Sequence, residues 1–475
     1  MQHLMPQSEW FGRLAVKVRL LGGVSLVFCI AGCGGSSSSK TTAPPQPQPQ
    51  TYLAPAVAYT VEGRPADPSI ATYTVDDIAD HFSQNIDTSQ GPQVLNYGDF
   101  KALPNDLLSL GTTTTYSQLD SSYVATTYPQ PLPGWAIELP NQAGGLVQVQ
   151  GLPVAPMVAA TSCPSITTPQ TWQFVTIPAA LFPSDLGQEV TFTWNPMTET
   201  AYGSVDISTS GSTVTLDHIQ QFTLPSEGGS GLPAIPVGSP IMASCGPTFY
   251  GNTISIPDPL LITDPGQGGG QLVQPAAVMG IGPTGLLVEN NGSDSFHNVF
   301  TNLYQNALGA GTGAIGLPKP SSAVDTGTLV GAQYRGFIYG AGLYAGPGAA
   351  GTGWSSHVAS FGFSSVPSSC ASVAAATSTL IYGGDFPNDD PSTSPVSNCD
   401  FAIDLGPQDT ANSGLYRQAT VWVGGAKGAS YPTNTTGQSY SFHAVAIAGQ
   451  LNGKYAIFVI GVDSTQPWEI DLLPN

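Results

Sequence analysis

The segment Lys454-Tyr-Ala-Ile-Phe-Val-Ile-Gly461, with Val462-Asp-Ser-Thr-Gln466 and Pro467-Trp-Glu-Ile-Asp-Leu-Leu473 directly after it, decides the fold class of this chain. β-branched and aromatic residues dominate both arms, and polar residues typical of turns separate them. This pattern predicts a β-hairpin. The segment Ala201–Ile219 has the same character, with two strand-like runs around Thr209-Ser-Gly-Ser212.

Strand-like segments recur along most of the chain. They lie at Trp135–Val149, Trp172–Ile177, Asn252–Ile256, Val278–Val288, Tyr334–Tyr339, Val358–Phe363, Thr379–Tyr382 and Ala419–Val423. With 56 Gly and 42 Pro in 475 residues, long helices are disfavoured, whereas short strands joined by tight turns fit well. The sequence therefore predicts an all-β fold.

A weak internal sequence repeat bears on the topology. Ala155–Cys163 precedes a strand that ends in Ile-Pro, and Ser239–Cys245 precedes another. Sheet groups that recur at intervals suggest radial repetition, so we expect a β-propeller or a duplicated β-sandwich. No WD or kelch signature supports the propeller, and both topologies stay open.

Two short peripheral helices are also predicted. Thr74 is placed to cap the first, which would carry Val75, Ile78, Ala79 and Phe82 on one face. The second spans about 296–308, between Asp294 and Gly309.

The N-terminal segment carries an export signal. Basic residues at Arg13, Lys17 and Arg19 precede an apolar run over 20–32, which is too short for a spanning helix of about 20 residues. This segment resembles bacterial lipoprotein signal peptides, with Ile30-Ala-Gly-Cys33 as the lipobox. The resemblance implies cleavage before Cys33, lipidation of Cys33 and, because Gly34 follows, sorting to the outer membrane. An ordinary secretory signal is the alternative.

Residues 34–52 contain a Gly/Ser stretch and the alternating Pro-Gln run Pro45–Gln50. Gly/Ser segments are flexible and Pro-rich segments extended, so this part predicts a tether. The expected organisation is a signal peptide over 1–32, a lipidated Cys33 and tether over 33–52, and a β-rich extracytoplasmic domain over 53–475 with a sub-boundary near 310–325. Such a protein belongs to the cell envelope, anchored to the outer membrane and either periplasmic or surface-exposed.

The charge balance excludes several partners. Formal net charge is −20, and no Lys or Arg occurs between Lys101 and Lys319. A nucleic-acid-binding protein needs a cationic surface to displace counterions, so nucleic acid is not an expected partner. Two GxGxxG matches, Gly280–Gly285 and Gly311–Gly316, run into a turn and a Pro-Lys-Pro segment rather than the helix that a nucleotide loop needs. No nucleotide cofactor is predicted.

Four cysteines remain after the signal and Cys33. An even number in an oxidising compartment indicates two disulfides, and we favour Cys163–Cys245 and Cys370–Cys399 because each pair closes a local loop. Other pairings and free buried thiols stay open.

Catalytic signals are weak. Ala323-Val-Asp325-Thr-Gly327 resembles the hydrophobic-hydrophobic-DTG motif of pepsin-like aspartic peptidases, which implies a second aspartate, and Gly461-Val-Asp463 is the nearest candidate although it lacks the glycine. Trp354-Ser-Ser-His357 offers a serine and a base. The non-catalytic interpretation is that Asp325 opens a turn and that His357 is a structural histidine.

One acidic stretch is the best metal candidate. Asp385, Asp389 and Asp390 lie in a segment that also contains Cys399, and carboxylates on such a loop suit Ca²⁺. Their spacing matches no established calcium loop, and a solvated acidic turn is favoured. No other cofactor is expected.

Two function classes remain. The favoured one is a membrane-anchored, non-catalytic binding or structural β module with a carbohydrate or an envelope protein as its ligand. The alternative is a secreted-type hydrolase, because an acidic, lysine-poor, disulfide-bonded chain suits degradative surroundings.

Overall fold

The computed structural model describes residues 50–54, 71–76, 81–88, 91–103, 107–110, 116–119, 125–128, 134–149, 154–159, 161–176, 201–223, 240–248, 251–256, 277–291, 313–329, 331–339, 356–364, 380–385, 401–423, 440–462 and 467–475. The compact unit that contains them runs from Pro47 to Asn475.

The described strands form three closed barrels of eight antiparallel strands each, and one separate two-stranded hairpin. Barrel 1 contains β1 Gln50–Ala54, β2 Ala71–Asp76, β3 His81–Thr88, β4 Gly91–Leu103, β5 Leu107–Leu110, β8 Gly134–Glu138, β9 Gly144–Val149 and β10 Ala155–Ala159. The hairpin is β6 Tyr116–Leu119 with β7 Ala125–Tyr128.

Barrel 2 contains β11 Gln170–Thr176, β12 Ala201–Ser210, β13 Thr213–Thr223, β14 Ile241–Thr248, β15 Gly251–Ile256, β16 Ala277–Ile281, β17 Leu287–Asn291 and β18 Gly313–Pro318. Barrel 3 contains β19 Gln333–Tyr339, β20 Ser356–Ser364, β21 Leu380–Asp385, β22 Phe401–Asp404, β23 Leu415–Val423, β24 Tyr440–Leu451, β25 Lys454–Val462 and β26 Pro467–Pro474.

Barrels 2 and 3 follow chain order, and their first and last strands pair to close the ring. Trp172 on β11 lies opposite Pro318 on β18, and Tyr334 on β19 lies opposite Pro474 on β26. In barrel 1, β5 pairs directly with β8, so the β6–β7 hairpin is an insertion. Within the three described barrels, closure gives every strand a hydrogen-bonded neighbour on both sides, which removes the usual route to edge-to-edge association there.

Each barrel has its own apolar interior. Barrel 1 is filled around Tyr52, Phe82, Phe100 and Met157. Barrel 2 is filled around Trp172, Phe174 and Met279 with many aliphatic side chains. In barrel 3, Trp468 is fully buried and its ring packs edge-on against Phe442, with centroids 5.9 Å apart.

A fourth cluster, the junction core, lies between the barrels and draws on all three. On β25, Ile457 and Val459 point into barrel 3, whereas Phe458 and Ile460 alternate with them and belong to the junction core. A strand that is buried on both faces needs apolar residues at consecutive positions. This explains the unbroken apolar run of the C-terminal hairpin.

The all-β prediction is confirmed, but the propeller and the duplicated sandwich were the wrong topologies. Each set of eight strands closes on itself, whereas a propeller blade is an open four-stranded sheet. Repetition is present, but the repeating unit is a barrel. The prediction of a sub-boundary near 310–325 stays a prediction; β18 ends at Pro318 and β19 begins at Gln333.

The helix predicted from Thr74 is wrong, because Thr74 lies within β2 and Phe82 within β3. Val75 and Phe82 are direct cross-strand partners and both fill barrel 1. The second predicted helix, about 296–308, lies outside the described residues. Those residues contain two short 3-10 helices, Pro140–Gln142 and Thr326–Leu329. Within the same residues, no helix is long and apolar enough to cross a membrane.

The predicted Cys163–Cys245 disulfide is confirmed, with Cα atoms 5.8 Å apart. It joins the segment before β11 to β14 of the same barrel. Cys370 and Cys399 lie outside the described residues, so their pairing stays a prediction.

Candidate ligand-binding site

A pocket of about 280 Å³ opens where the three barrels meet. Side chains and backbone from every barrel line it, and we call it the junction pocket. Its lining residues are Gln50, Pro140, Asn141, Gln142, Ala143, Ala159, Thr161, Pro283, Thr284 and Asn452.

Barrel 1 provides most of this lining. Gln50 begins β1, the 3-10 turn Pro140–Gln142 connects β8 to β9, and Ala159 ends β10. Barrel 2 contributes the turn between β16 and β17, and barrel 3 contributes Asn452 from the turn between β24 and β25. Since pockets for small ligands form preferentially at interfaces between domains, this junction is the natural place for one.

The pocket has an apolar floor and a polar rim. Ala143 and Ala159 are buried and form the apolar floor, to which Thr284 adds one buried hydroxyl. The rim carries amide and hydroxyl side chains together with two proline rings, at Gln50, Pro140, Asn141, Gln142, Thr161, Pro283 and Asn452. None of the ten lining residues is ionisable.

The β8–β9 turn holds its amides in an unusual backbone conformation. Asn141 and Gln142 have φ values of 62° and 54°, in the left-handed region. For an ordinary L-residue this region costs about 1–2 kcal/mol. A hydrogen bond from the Leu139 amide to the Gly144 carbonyl, at 2.7 Å, closes the turn around them. The turn therefore fixes where both side chains leave the backbone, and backbone strain of this kind concentrates at ligand sites.

Asn452 lies on the rim in a common type of hairpin turn. Its φ is 52° and that of Gly453 is 78°. Asn-Gly with two positive φ values is the preferred two-residue connection for a tight hairpin, here between β24 and β25. The turn thus presents an amide side chain without further strain.

The first GxGxxG match forms the β16–β17 turn. Gly282 donates to the Leu286 carbonyl and Gly285 donates to the Gly282 carbonyl, so the motif folds as a hairpin. A Cβ at Gly280 would lie 2.5 Å from Leu53 Cδ2 and 2.9 Å from Val158 Cγ2. The glycine therefore allows barrel 2 to approach barrel 1 closely. Thr284 lies between these glycines, and its buried hydroxyl has no hydrogen-bond partner in the described structure.

Thr161 is held on the rim by its neighbours in barrel 2. The Asn252 side-chain amide donates to the Thr161 carbonyl at 3.0 Å, and the Cys163–Cys245 disulfide lies two residues further on. Ile166 and Thr209 exchange hydrogen bonds of 2.7 Å that tie the rest of the segment to β12. The rim is thus cross-linked to the barrel beneath it.

Buried carboxyl groups lie in the same junction. Glu469 and Asp471 alternate along β26 with side chains that fill barrel 3, so they face outward, and they are 0% and 1% exposed. Glu469 Oε1 accepts a hydrogen bond from the Val154 amide of barrel 1 at 3.1 Å. Burial raises the pKa of Asp471 to about 8. Burial and the neighbouring Asp471 raise the pKa of Glu469 well above its usual range, against a smaller opposing effect of the Val154 amide.

Glu289 is a third buried carboxyl, on the inner face of barrel 2. It lies opposite Met279 and Ala314, which both belong to that barrel's core. Its oxygens have no hydrogen-bond partner in the described part of the chain. Burial raises the pKa of Glu289 well above its usual range.

A second groove, of about 440 Å³, lies between barrels 2 and 3. Its lining residues are Gln170, Thr171, Pro318, Lys319, Pro320, Ser321, Ala411 and Ser413. Lys319 Nζ donates to the Ala411 carbonyl and to Asn412 Oδ1, each at 3.1 Å, and Ser413 Oγ donates to the Pro320 carbonyl. Because these groups bind each other, the groove serves as a connection between barrels and we do not take it as the ligand site.

The pairings proposed for the catalytic and metal-binding residues stay predictions, because each set includes residues outside the described part of the chain. Asp325 is exposed and its Oδ1 accepts a hydrogen bond from the Gly327 amide at 2.9 Å, the arrangement of a turn. Asp385 ends β21. Asp389, Asp390, Asp463 and Cys33 lie outside the described residues. Among those residues, no three of His, Cys, Asp and Glu group closely enough to hold a metal ion.

The fold and site define a class of protein: three antiparallel eight-stranded barrels packed on a shared apolar core, with an uncharged pocket where they meet. No family model and no curated protein sequence matches this chain.

The solved structures similar to this chain include two transferrin binding proteins B. A single-residue mutant from Haemophilus parasuis Hp5 is 9% identical with a TM-score of 0.20, and isotype 1 from serogroup B Neisseria meningitidis is 11% identical with a TM-score of 0.21. Each alignment covers 90% of this chain and 77% of the other. At these TM-scores the likeness does not support a functional assignment.

Proposed function

We propose that this chain is an exported, lipid-anchored envelope protein with a non-catalytic binding role, and that the junction pocket is its binding site. The observation that carries the binding role is the lining of that pocket, which combines amides, hydroxyls and apolar groups with no ionisable side chain. Ligand pockets typically combine apolar walls with a few placed polar groups, so this lining suits recognition.

Anchoring follows from the N-terminal segment. Ile30-Ala-Gly-Cys33 would place lipid on Cys33, and the Pro-Gln run ends at Gln50, where β1 and the pocket rim begin. One acyl chain binds a membrane only reversibly, so stable anchoring implies more than one chain on Cys33.

Lipidation is tested by a single substitution. Cells that express the full chain with Cys33→Ser should incorporate no labelled palmitate into it. Cys29→Ser is the matched control, because Cys29 lies within the same apolar run, ahead of the predicted cleavage site. Retention of label in Cys33→Ser would contradict the anchor.

The binding role is tested by blocking the pocket from its rim. Thr161 is exposed, so Thr161→Trp should fill the pocket while leaving folding unchanged. In ligand-observed NMR against a library of neutral and charged small molecules, we expect compounds that bind the native protein and lose binding in Thr161→Trp. Thr167→Trp, an exposed site outside the lining, should retain them. If no compound separates the two variants, the pocket is not a binding site.

A further inference from the structure

We infer that the junction pocket takes a neutral, polyhydroxylated ligand: a mono- or disaccharide without a charged substituent. This inference rests on the proposed binding function and adds the chemical class of the ligand. It is carried by the functional groups of the rim, the absence of charge among the ten lining residues, the apolar floor and the size of the pocket.

The amide side chains on the rim can each hydrogen-bond two neighbouring hydroxyl groups of a sugar. A primary amide presents an acceptor oxygen beside two N–H donors, and amide side chains line this pocket at Gln50, Asn141, Gln142 and Asn452. Gln50 Nε2 donates to the Thr51 carbonyl at 2.8 Å. Asn141 and Asn452 are therefore the main amides offered to a ligand. A sugar hydroxyl both donates and accepts, so vicinal hydroxyls can bind one amide through both of its functions. Thr161 and Thr284 add two side-chain hydroxyls to the lining.

Charged ligands fit this lining poorly. Moving an ion from water into a partly buried site costs free energy unless an opposite charge or several hydrogen bonds compensate for the lost hydration. The lining residues offer no such charge. Anions are in addition repelled by a chain with a formal net charge of −20.

The apolar groups match the other surface of a sugar. Pro140 and Pro283 contribute rings, and Ala143 and Ala159 contribute methyl groups, against which the C–H face of a pyranose can pack. The volume of about 280 Å³ lies at the small end of ligand pockets, so the site suits one or two sugar rings and no longer chain.

Two of the amides are positioned before any ligand arrives. The left-handed backbone at Asn141 and the Asn-Gly turn at Asn452 fix where each side chain leaves the backbone. A rim that is already ordered loses less entropy on binding, which favours recognition of a small ligand.

The test measures binding to the native full-length protein by NMR titration with glucose, N-acetylglucosamine, maltose and lactose. Glucosamine, glucuronic acid and an uncharged tripeptide are titrated alongside. We expect at least one neutral sugar to bind, and the charged sugars and the peptide to bind at least roughly tenfold more weakly, as expected for one uncompensated polar group. Thr161→Trp should abolish sugar binding, and Thr167→Trp should leave it unchanged.

Asn452→Asp tests one of the amides that the inference uses, and the pattern of probes bound separates the inference from the binding function itself. Aspartate tolerates the left-handed turn but replaces the amide donors with a negative charge. Sugar affinity should fall by roughly three- to tenfold, the loss expected for one or two hydrogen bonds. Suppose that a charged sugar or the peptide binds, that Thr161→Trp abolishes this binding, and that no neutral sugar binds. That result overturns the inference while the binding function stands. If no probe or library compound binds, both fail.

Discussion

Raising the pH from about 5 to about 8 should lower the free energy of unfolding of this protein, and Asp471→Asn should remove a substantial part of that loss. The aspartate is 1% exposed in the junction between barrels, where burial raises its pKa from 3.8 to about 8. Between pH 3.8 and about pH 8, Asp471 keeps its proton in the folded protein but has released it in the unfolded chain. Stability must therefore decrease as pH rises.

The sign and size follow from proton linkage. Below about pH 4 both states hold the proton, so Asp471 carries no ionisation penalty there, and above about pH 8 the full penalty applies. One titrating group gives a limiting slope of about 1.4 kcal/mol per pH unit within this window. Glu469 and Glu289, whose pKa values are also raised by burial, act in the same direction.

Urea unfolding at several pH values measures this slope. For Asp471→Asn the free energy of unfolding should depend less steeply on pH, with the variant gaining on the native protein toward pH 8. Phe337→Leu is the matched control, because Phe337 lies directly opposite Asp471 on β19 and is fully buried. It should lower stability by a similar amount at every pH. Equal slopes for the native protein and Asp471→Asn would show that the carboxyl is not protonated in the fold.

Local strand structure was predictable because its signals are local. The hairpin expected over 201–219 is β12 and β13, and the C-terminal hairpin expected over 454–473 is β25 and β26. In each case β-branched residues flank polar turn residues within a short window. The failed helix after Thr74 shows the limit of such signals. A seven-residue spacing places Val75 and Phe82 on one helix face, but it equally makes them partners across a hairpin.

Barrel closure and the junction pocket could not be predicted in this way. Closure depends on pairs such as Trp172 with Pro318 and Tyr334 with Pro474, which no local pattern encodes. The pocket joins Gln50, Asn141 and Asn452 from turns and strand ends that meet only when three barrels pack together. Asn452-Gly453 predicts a turn, but nothing in its neighbourhood predicts a ligand. The motif Gly280–Gly285 resembles a nucleotide loop in sequence, but Gly280 instead allows close packing against Leu53 and Val158 of barrel 1. That contact cannot be seen in the sequence.

Removing the Cys163–Cys245 disulfide should destabilise the protein by about 4 kcal/mol. The bond joins residues separated by 82 positions, and its loss restores the conformational entropy of a long loop in the unfolded chain. The double variant Cys163→Ala/Cys245→Ala should therefore unfold at a clearly lower denaturant concentration than the oxidised native protein.

Reductant supplies the matched control for this experiment. Treating the native protein with reductant should reproduce the destabilisation of the double variant, apart from any contribution of Cys370 and Cys399. Treating the double variant reports that contribution alone. If the double variant and the oxidised native protein unfold at the same denaturant concentration, the bond does not stabilise the fold.

The disulfide also connects the core of barrel 2 to the rim of the junction pocket. Cys163 lies two residues from Thr161 on the pocket rim, and Cys245 belongs to the core of barrel 2. In the double variant, the hydrogen bond from Asn252 to the Thr161 carbonyl remains as a direct link between the rim and β15. Without the disulfide, the rim around Thr161 is less ordered before binding, and a ligand must then order it at a cost in entropy. The affinity of any ligand of the junction pocket should therefore fall even where the protein is fully folded. Loss of stability without loss of affinity would show that Asn252 alone is enough to position Thr161.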